Sequence, residues 1–359
     1  YTLVPSADGG QHTFFNAAIL FNGPTNTITV TDGTLSTVSA PITVKSGRLG
    51  AFAILALSPQ AAGTIFPLSL TALDVYNNVK TDYSGDMTFT DTHSGGTAGY
   101  APSILPAASW STGLANLLPG SFFTKAEVVK ITGQSSYRSG TSNDIAITSA
   151  PPAALLLSVS TTSPDSGIPF SATVTILDIY GNVANDYAGW VRFSVNDTHP
   201  DVILPADYHF VAADAGRKTF VSAFRLITPG AATLQVVDTV NATMTPQFPL
   251  TVLPGPAKRF ELSCSSIQTE GVPFNLIVKA YDDYGNLKTN FSETIGLSTD
   301  FTSVLPVSAG GFSQGQLLIP SVELKYSGAM PETKKITAAF GVVTGDKDIT
   351  LLPPASDFA

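Results

Sequence analysis

A chain of 359 residues has room for two or three domains of ordinary size. Its charged fraction is 13% and its net charge −9, against roughly a quarter charged in average soluble proteins, and its longest basic runs are the pairs Lys258-Arg259 and Lys334-Lys335, which excludes a phosphate-tracking nucleic-acid binder. The single cysteine, Cys264, excludes an internal disulfide framework and a multi-cysteine metal site, and no run of 18 apolar residues is present to span a membrane.

Residues 1–46 align with a stretch that comes much later. Thr13-Phe14 matches Thr219-Phe220, Thr29-Val30-Thr31-Asp32 matches Gln235-Val236-Val237-Asp238, and Pro41-Ile42-Thr43-Val44 matches Pro249-Leu250-Thr251-Val252. This segment is therefore expected to be the C-terminal half of a repeat, and the chain a window on a longer array. The rival reading is that another subunit supplies the missing strands by β-strand addition.

Three full repeats are expected next, over residues 47–150, 151–253 and 254–353, with residues 354–359 opening a further one. Their landmarks keep a step of 104 residues: Gly63, Gly167 and Gly271 precede a strand, Asp74, Asp178 and Asp282 end it, and Tyr83, Tyr187 and Phe291 follow its turn. Markers sharing one long period identify tandem domain-sized repeats.

The opening strand alternates in each copy. Phe66, Leu68, Leu70, Ala72 and Asp74 face inward in the first, Phe170, Ala172, Val174, Ile176 and Asp178 in the second, and Phe274, Leu276, Val278, Ala280 and Asp282 in the third. Period-two alternation puts one face on a core and the other in water. A second alternating strand follows the turn, with Met87 and Phe89, Val191 and Phe193, or Ile295 and Leu297 inward, and the two strands read as a hairpin.

Further strands in the middle repeat are expected at about 207–212, 217–226, 231–238 and 246–253. Some seven strands in about a hundred residues is the count of an immunoglobulin-like β-sandwich. The fold class is accordingly all-β, in tandem sandwiches. Prolines at the junctions Ala150-Pro151-Pro152, Pro254-Gly255-Pro256 and Pro353-Pro354 make stiff spacers, so an extended rod is predicted. The first repeat diverges most, with a Gly-rich insertion at Asp91 to Pro102 read as a loop, and without the Ala-Asp-Ala-Gly turn that the middle repeat has at 213–216.

The turn is the motif that carries a resemblance. Asp74-Val75-Tyr76-Asn77-Asn78, Asp178-Ile179-Tyr180-Gly181-Asn182 and Asp282-Asp283-Tyr284-Gly285-Asn286, set between these alternating strands, resemble bacterial immunoglobulin-like repeats of large surface proteins and adhesins, of the invasin/intimin type. The resemblance spans the chain on about ten positions per repeat. It implies a β-sandwich used outside the cell as a stalk or display module, and it brings no catalytic residues.

Read from the residues, the aspartates at 74, 178 and 282 lie inward at a strand end, where a carboxylate accepts turn amides. Tyr76, Tyr180 and Tyr284 are expected to wedge over the sandwich end with partnered hydroxyls, and Asn78, Asn182 and Asn286 to complete the turn. The alternative is a calcium site that adds Asp91, Asp197 or Asp300, although no repeat offers the dense acidic run that six to eight oxygen ligands call for. No other cofactor is implied. His12, His93, His199 and His209 occupy unrelated repeat positions, so no convergent catalytic group is expected. Trp190, Leu73, Leu177 and Tyr281 fall on outward parity and are the candidate contact points.

The expected function is a non-catalytic stalk segment of a long secreted or cell-surface protein, extending or displaying an adhesive or assembly element. The alternatives are a subunit of a self-assembling extracellular filament or surface lattice, and a carbohydrate-binding accessory module. The partners expected are other repeats of the same chain, lattice neighbours, or a glycan or cell-surface ligand, with no nucleic acid and no membrane span.

Overall fold

The computed structural model describes residues 1–354. Strand accounts for 51% of the chain and helix for 3%, so the fold is all-β, and its domains are immunoglobulin-like sandwiches. The chain divides into two compact units, Tyr1–Pro152 with Asp178–Asn182, and Ala153–Leu177 with the residues from Val183 onward. Buried side chains form three clusters, one from Phe52 to Ala150, one from Leu155 to Val252 and one from Phe260 to Leu351.

In the first unit one layer runs Leu49–Leu55, Phe66–Asp74, Leu114–Phe123, Ala98–Ala101, and the facing layer Ile104–Leu105, Met87–Asp91, Ile131–Ser135, Arg138–Thr141. Phe66, Leu68, Leu70 and Ala72 point into the space between them and are buried, as the alternation requires. The Gly-rich insertion is more than a loop. Its Ala98–Ala101 pairs with Gly120 to Phe123 as an edge strand, with Gly99 lying opposite Phe122.

The middle sandwich, most of which belongs to the second unit, pairs Pro152–Val159, Phe170–Asp178 and Arg217–Phe224 in one layer and Tyr208–His209, Trp190–Val195, Gly230–Asp238 and Gln247–Val252 in the other. The third sandwich traces one continuous sheet path from Ser303–Leu305 through Gln316–Lys325, Phe274–Tyr281, Arg259–Ser263, Val343–Leu352, Glu332–Phe340 and Ile295–Thr299 to Ser308–Ala309. A parallel contact of Arg259 with Thr344 joins its two halves. Hydroxyl pairs such as Thr173–Thr219 at 2.8 Å and Thr333–Thr350 at 2.8 Å line the solvent faces.

The hairpin expectation is corrected. Phe66–Asp74 and Met87–Asp91 lie in opposite layers, as do Phe274–Tyr281 and Ile295–Thr299 with respect to their hydrogen-bonded neighbours. After the turn the chain makes one short bridge, Leu73 to Val79 or Tyr281 to Leu287, and then crosses to the facing layer. Alternation specifies that a strand buries one face, and two such faces satisfy each other across a core as well as along an edge.

The Ala-Asp-Ala-Gly turn also has counterparts that sequence comparison misses. Ala215-Gly216 is left-handed at φ 46 and 71, and so are Thr112-Gly113 at 50 and 81 and Gln314-Gly315 at 49 and 73. Their carbonyls accept the amides of Ile176, Ala72 and Ala280 respectively. At the second position a Cβ would press within 2.4 to 2.8 Å of a backbone oxygen in all three, which restricts it to glycine.

Residues 1–46 bury no apolar side chain. Thr29–Thr31 pairs with Ser36–Val38 and Gly23–Asn26 with Ile42–Val44, while Phe14, Phe15, Phe21 and Leu35 are exposed.

Candidate functional site

The three Asp-x-Tyr turns are the most elaborated polar features of the molecule. Because each aspartate ends an inward row, its carboxylate is buried, with Asp74, Asp178 and Asp282 only 2 to 3% exposed. A buried carboxylate must be supplied with donors. One oxygen of Asp74 accepts the amides of Tyr76 and Asn78 at 2.8 and 2.9 Å, and the other accepts the amide of Gly47 at 2.8 Å and the Asn78 side chain at 3.1 Å. Asp178 repeats the arrangement with Tyr180, Asn182 and the Ala150 amide, and Asp282 repeats it with Tyr284, Asn286 and the Gly255 amide. Burial pushes the Asp74 carboxyl up, but the Gly47 amide and the donors of Asn78 and Tyr76 outweigh it and hold the group down at about 2. Asp178 is lowered by the same balance.

The asparagine reaches further. Its side-chain amide donates to Leu20 O from Asn78, to Thr124 O from Asn182 and to Ile227 O from Asn286, at 2.6, 2.8 and 3.0 Å. Asn286 also meets Ser166 Oγ at 3.0 Å, and that hydroxyl itself donates to Ile227 O. Asn77 sits at φ 67, in the region that Gly181 and Gly285 occupy at 83 and 82.

Tyr180 and Tyr284 each crowd a glycine. A Cβ on Gly63 would fall 2.0 Å from the hydroxyl of Tyr180 and 2.5 Å from its ring, and one on Gly167 would fall 2.2 Å from the ring of Tyr284. These glycines were visible in the sequence as landmarks of the same period. What they touch lies in another repeat, and no local pattern reveals it. Tyr284 lies beside an open cleft of about 520 Å³ that Ser166, Gly255, Lys258 and Asp283 also line. The Ser166 hydroxyl there is already spent on a backbone carbonyl.

The calcium candidates are not brought together. Every oxygen of the three turn aspartates faces N–H donors, which a cation would have to displace. Asp91 binds Tyr100 and His93, Asp197 binds the amides of Ile227 and Thr228, and Asp300 lies near the Lys335 ammonium. Among the described residues no group of three or more His, Cys, Asp or Glu is placed to hold a metal ion. The histidines are equally dispersed: His12 contacts Asp8, His93 contacts Asp91, His199 contacts the Asp201 amide and His209 contacts Ala188 O.

Of the outward contact candidates, Trp190 is 47% exposed and its ring lies 4.9 Å from that of His209. Leu73, Leu177 and Tyr281 are half-buried, a correction to their reading as exposed contact points. The chain leaving each turn folds back as Val79, Val183 or Leu287 to bridge them, and Arg259 covers the Tyr281 ring at 4.3 Å. Exposed apolar residues that parity did not single out stand beside the glycines instead, at Ile65, Ile168 and Val272.

No family model and no curated protein matches this sequence. Among solved structures the chain is similar to the Escherichia coli adhesin FdeC, at 14% identity and a TM-score of 0.53, covering 86% of this chain and 99% of that one. Invasin, described as a bacterial integrin-binding protein, aligns at 16% identity and a TM-score of 0.38 over 84% of this chain and 60% of its own. The surface layer protein SbsC, domains 1–6, aligns at 16% and 0.25 over 89% and 42%. The first likeness shows the fold, that of tandem immunoglobulin-like modules. The other two scores are too low to carry an argument.

Proposed function

We propose that this chain is a non-catalytic spacer segment of a secreted or cell-surface repeat protein, acting by reach and stiffness to extend or display an adhesive or assembly element. The observation that carries the reading is the use made of the recurring motif. In each turn the aspartate binds a linker amide and the asparagine reaches a carbonyl outside its own turn, so the polar groups that recur are committed to holding chain segments in place. A linker whose amide is held by a buried carboxylate has lost a torsional freedom that a tether would keep. The fold shared with an adhesin structure supports the surface setting.

Small-angle X-ray scattering of the full chain tests this. Strand rise and length predict a maximum dimension on the order of 100 to 140 Å, and a radius of gyration near that of a globule, about 21 Å for this length, overturns it. Lateral assembly into a filament or surface lattice is a second reading, favoured by the exposed Trp190 and His209 pair. Aromatic platforms of this kind are enriched at interfaces. Electron microscopy separates the readings, since ordered polymers support the second and single particles the first.

A further inference from the structure

The three period-marking glycines are held alike but end differently. The amide of Gly63 donates to Phe123 O, that of Gly167 to Leu226 O and that of Gly271 to Leu324 O, and all three are left-handed, at φ 77, 79 and 71. Gly63 carries the hydroxyl end of the Tyr180 ring and Gly167 carries the edge of the Tyr284 ring, whereas a Cβ on Gly271 would meet nothing within 4 Å. One residue beyond the Phe123, Leu226 and Leu324 carbonyls stand Thr124, Ile227 and Lys325. The first two accept the asparagine amide of a turn. Ile227 is fully buried, and its counterpart Lys325 is exposed. Beside Gly271, Val272 is 51% exposed, an apolar contact of the kind Ile168 offers to the cleft that Tyr284 lines.

We propose that the end of the third sandwich around Gly271 and Lys325 is a docking socket for the Asp-x-Tyr-Gly-Asn turn of another immunoglobulin-like repeat joined in line. The tyrosine ring seats on Gly271 and the asparagine amide addresses the Lys325 carbonyl. The socket differs from the internal ones in one respect. The linker amides of Ala150 and Gly255 lie two residues after Thr148 and Leu253, whose carbonyls accept the amides of Ala62 and Ser166. Leu352 has that role toward Glu270, and the residue two beyond it, Pro354, has no N–H to give the incoming aspartate. Docking at this end therefore rests on the ring and the asparagine more than it does at the other two.

A double-mutant cycle tests the socket. The chain through Leu352 is continued with a second copy of residues 149–253, whose linker restores the amide, and Gly271→Asn is combined with alanine in place of the tyrosine of the appended turn. Asparagine tolerates positive φ, so the substitution adds bulk without unfolding the sandwich. The readout is the opening constant of the third sandwich from amide exchange at Leu276 and Val278. The same cycle at Gly167 and Tyr284 in the unextended chain is the reference. Non-additivity of about fivefold or more at both places is the result expected. Additivity at Gly271 overturns the socket, and so does a reference pair that fails to couple. Concentration-dependent association of the 359-residue chain that is lost on Gly271→Asn would assign the surface to a second copy, and overturns the in-line version. The spacer reading is decided by scattering on the unextended chain and is untouched by any of these outcomes.

Discussion

Two stretches of this chain share a sequence pattern and meet different fates. Thr29-Val30-Thr31-Asp32 and Gln235-Val236-Val237-Asp238 align, as do Phe14 and Phe220, yet Val30 is 58% exposed and Phe14 62%, while Val236 is fully buried and Phe220 is 8% exposed. Both form local strands. Even the turn after the aspartate is the same, since Asp32 accepts the amides two and three residues on, and Asp238 does likewise. What separates them is the facing half. Gly230–Asp238 pairs with Trp190–Val195, Arg217–Phe224 pairs with Phe170–Asp178, and Asp238 receives the Tyr187 hydroxyl. Thr29–Thr31 has only the Ser36–Val38 return. Pattern writes a strand locally, and burial waits for the opposite layer.

The largest test of this comparison is a graft. Residues 151–207 placed ahead of Tyr1 offer a facing layer, and amide exchange at Val30 is expected to slow by about a thousandfold or more, the range that separates a frayed strand from a marginally stable domain. Unchanged exchange would break the comparison. Next in size, Phe220→Ala is expected to destabilise the middle sandwich by about 3 to 5 kcal/mol through the cavity it leaves, and Phe14→Ala by less than about 0.5 kcal/mol, both read by denaturant titration. Asp238→Ala removes the turn acceptor and strands the buried Tyr187 hydroxyl, for a loss of about 2 to 3 kcal/mol. Asp32→Ala removes only an exposed local acceptor and is expected to lose much less than Asp238→Ala, since water replaces the lost bonds.

Acid provides a finer test. The Asp74 carboxyl is held at about 2 in the folded chain, below the ordinary value near 4. Its contribution is complete above about pH 4 and is lost as the pH falls through 2. Melting of the first unit is expected to be flat between pH 7 and 5 and to drop between 4 and 2. Salt should do least. Ion pairs such as Arg192–Asp207 lie on the surface, where water and salt screen them and they contribute little, so raising sodium chloride to 1 M is expected to move the midpoint of the second unit by less than about 4 °C.

The same contrast explains what was legible in the sequence. The inward rows, Phe66 to Asp74 and its two counterparts, follow from side-chain alternation, a property of one strand. The inward parity of the turn aspartates follows from it as well. The layer a strand joins is chosen by its neighbours, so the crossover after each turn read as a hairpin. Thr112-Gly113 escaped because it shares only a glycine and backbone handedness with Ala215-Gly216. The glycine and tyrosine landmarks were both seen, but their contact joins one repeat to the next and leaves no mark on the hydrophobic pattern. Leu73, Leu177 and Tyr281 kept their outward direction and still lost exposure, because a single bridge from the returning chain covers them.

The pairing of Gly63 with Tyr180 and of Gly167 with Tyr284 has a consequence for ancestry. A seam whose two parts come from opposite ends of a module is the same seam wherever modules are added or removed, so unequal crossing-over within the gene can lengthen or shorten the product by whole units without disturbing those that remain. Selection can then act on length as a single, easily altered trait.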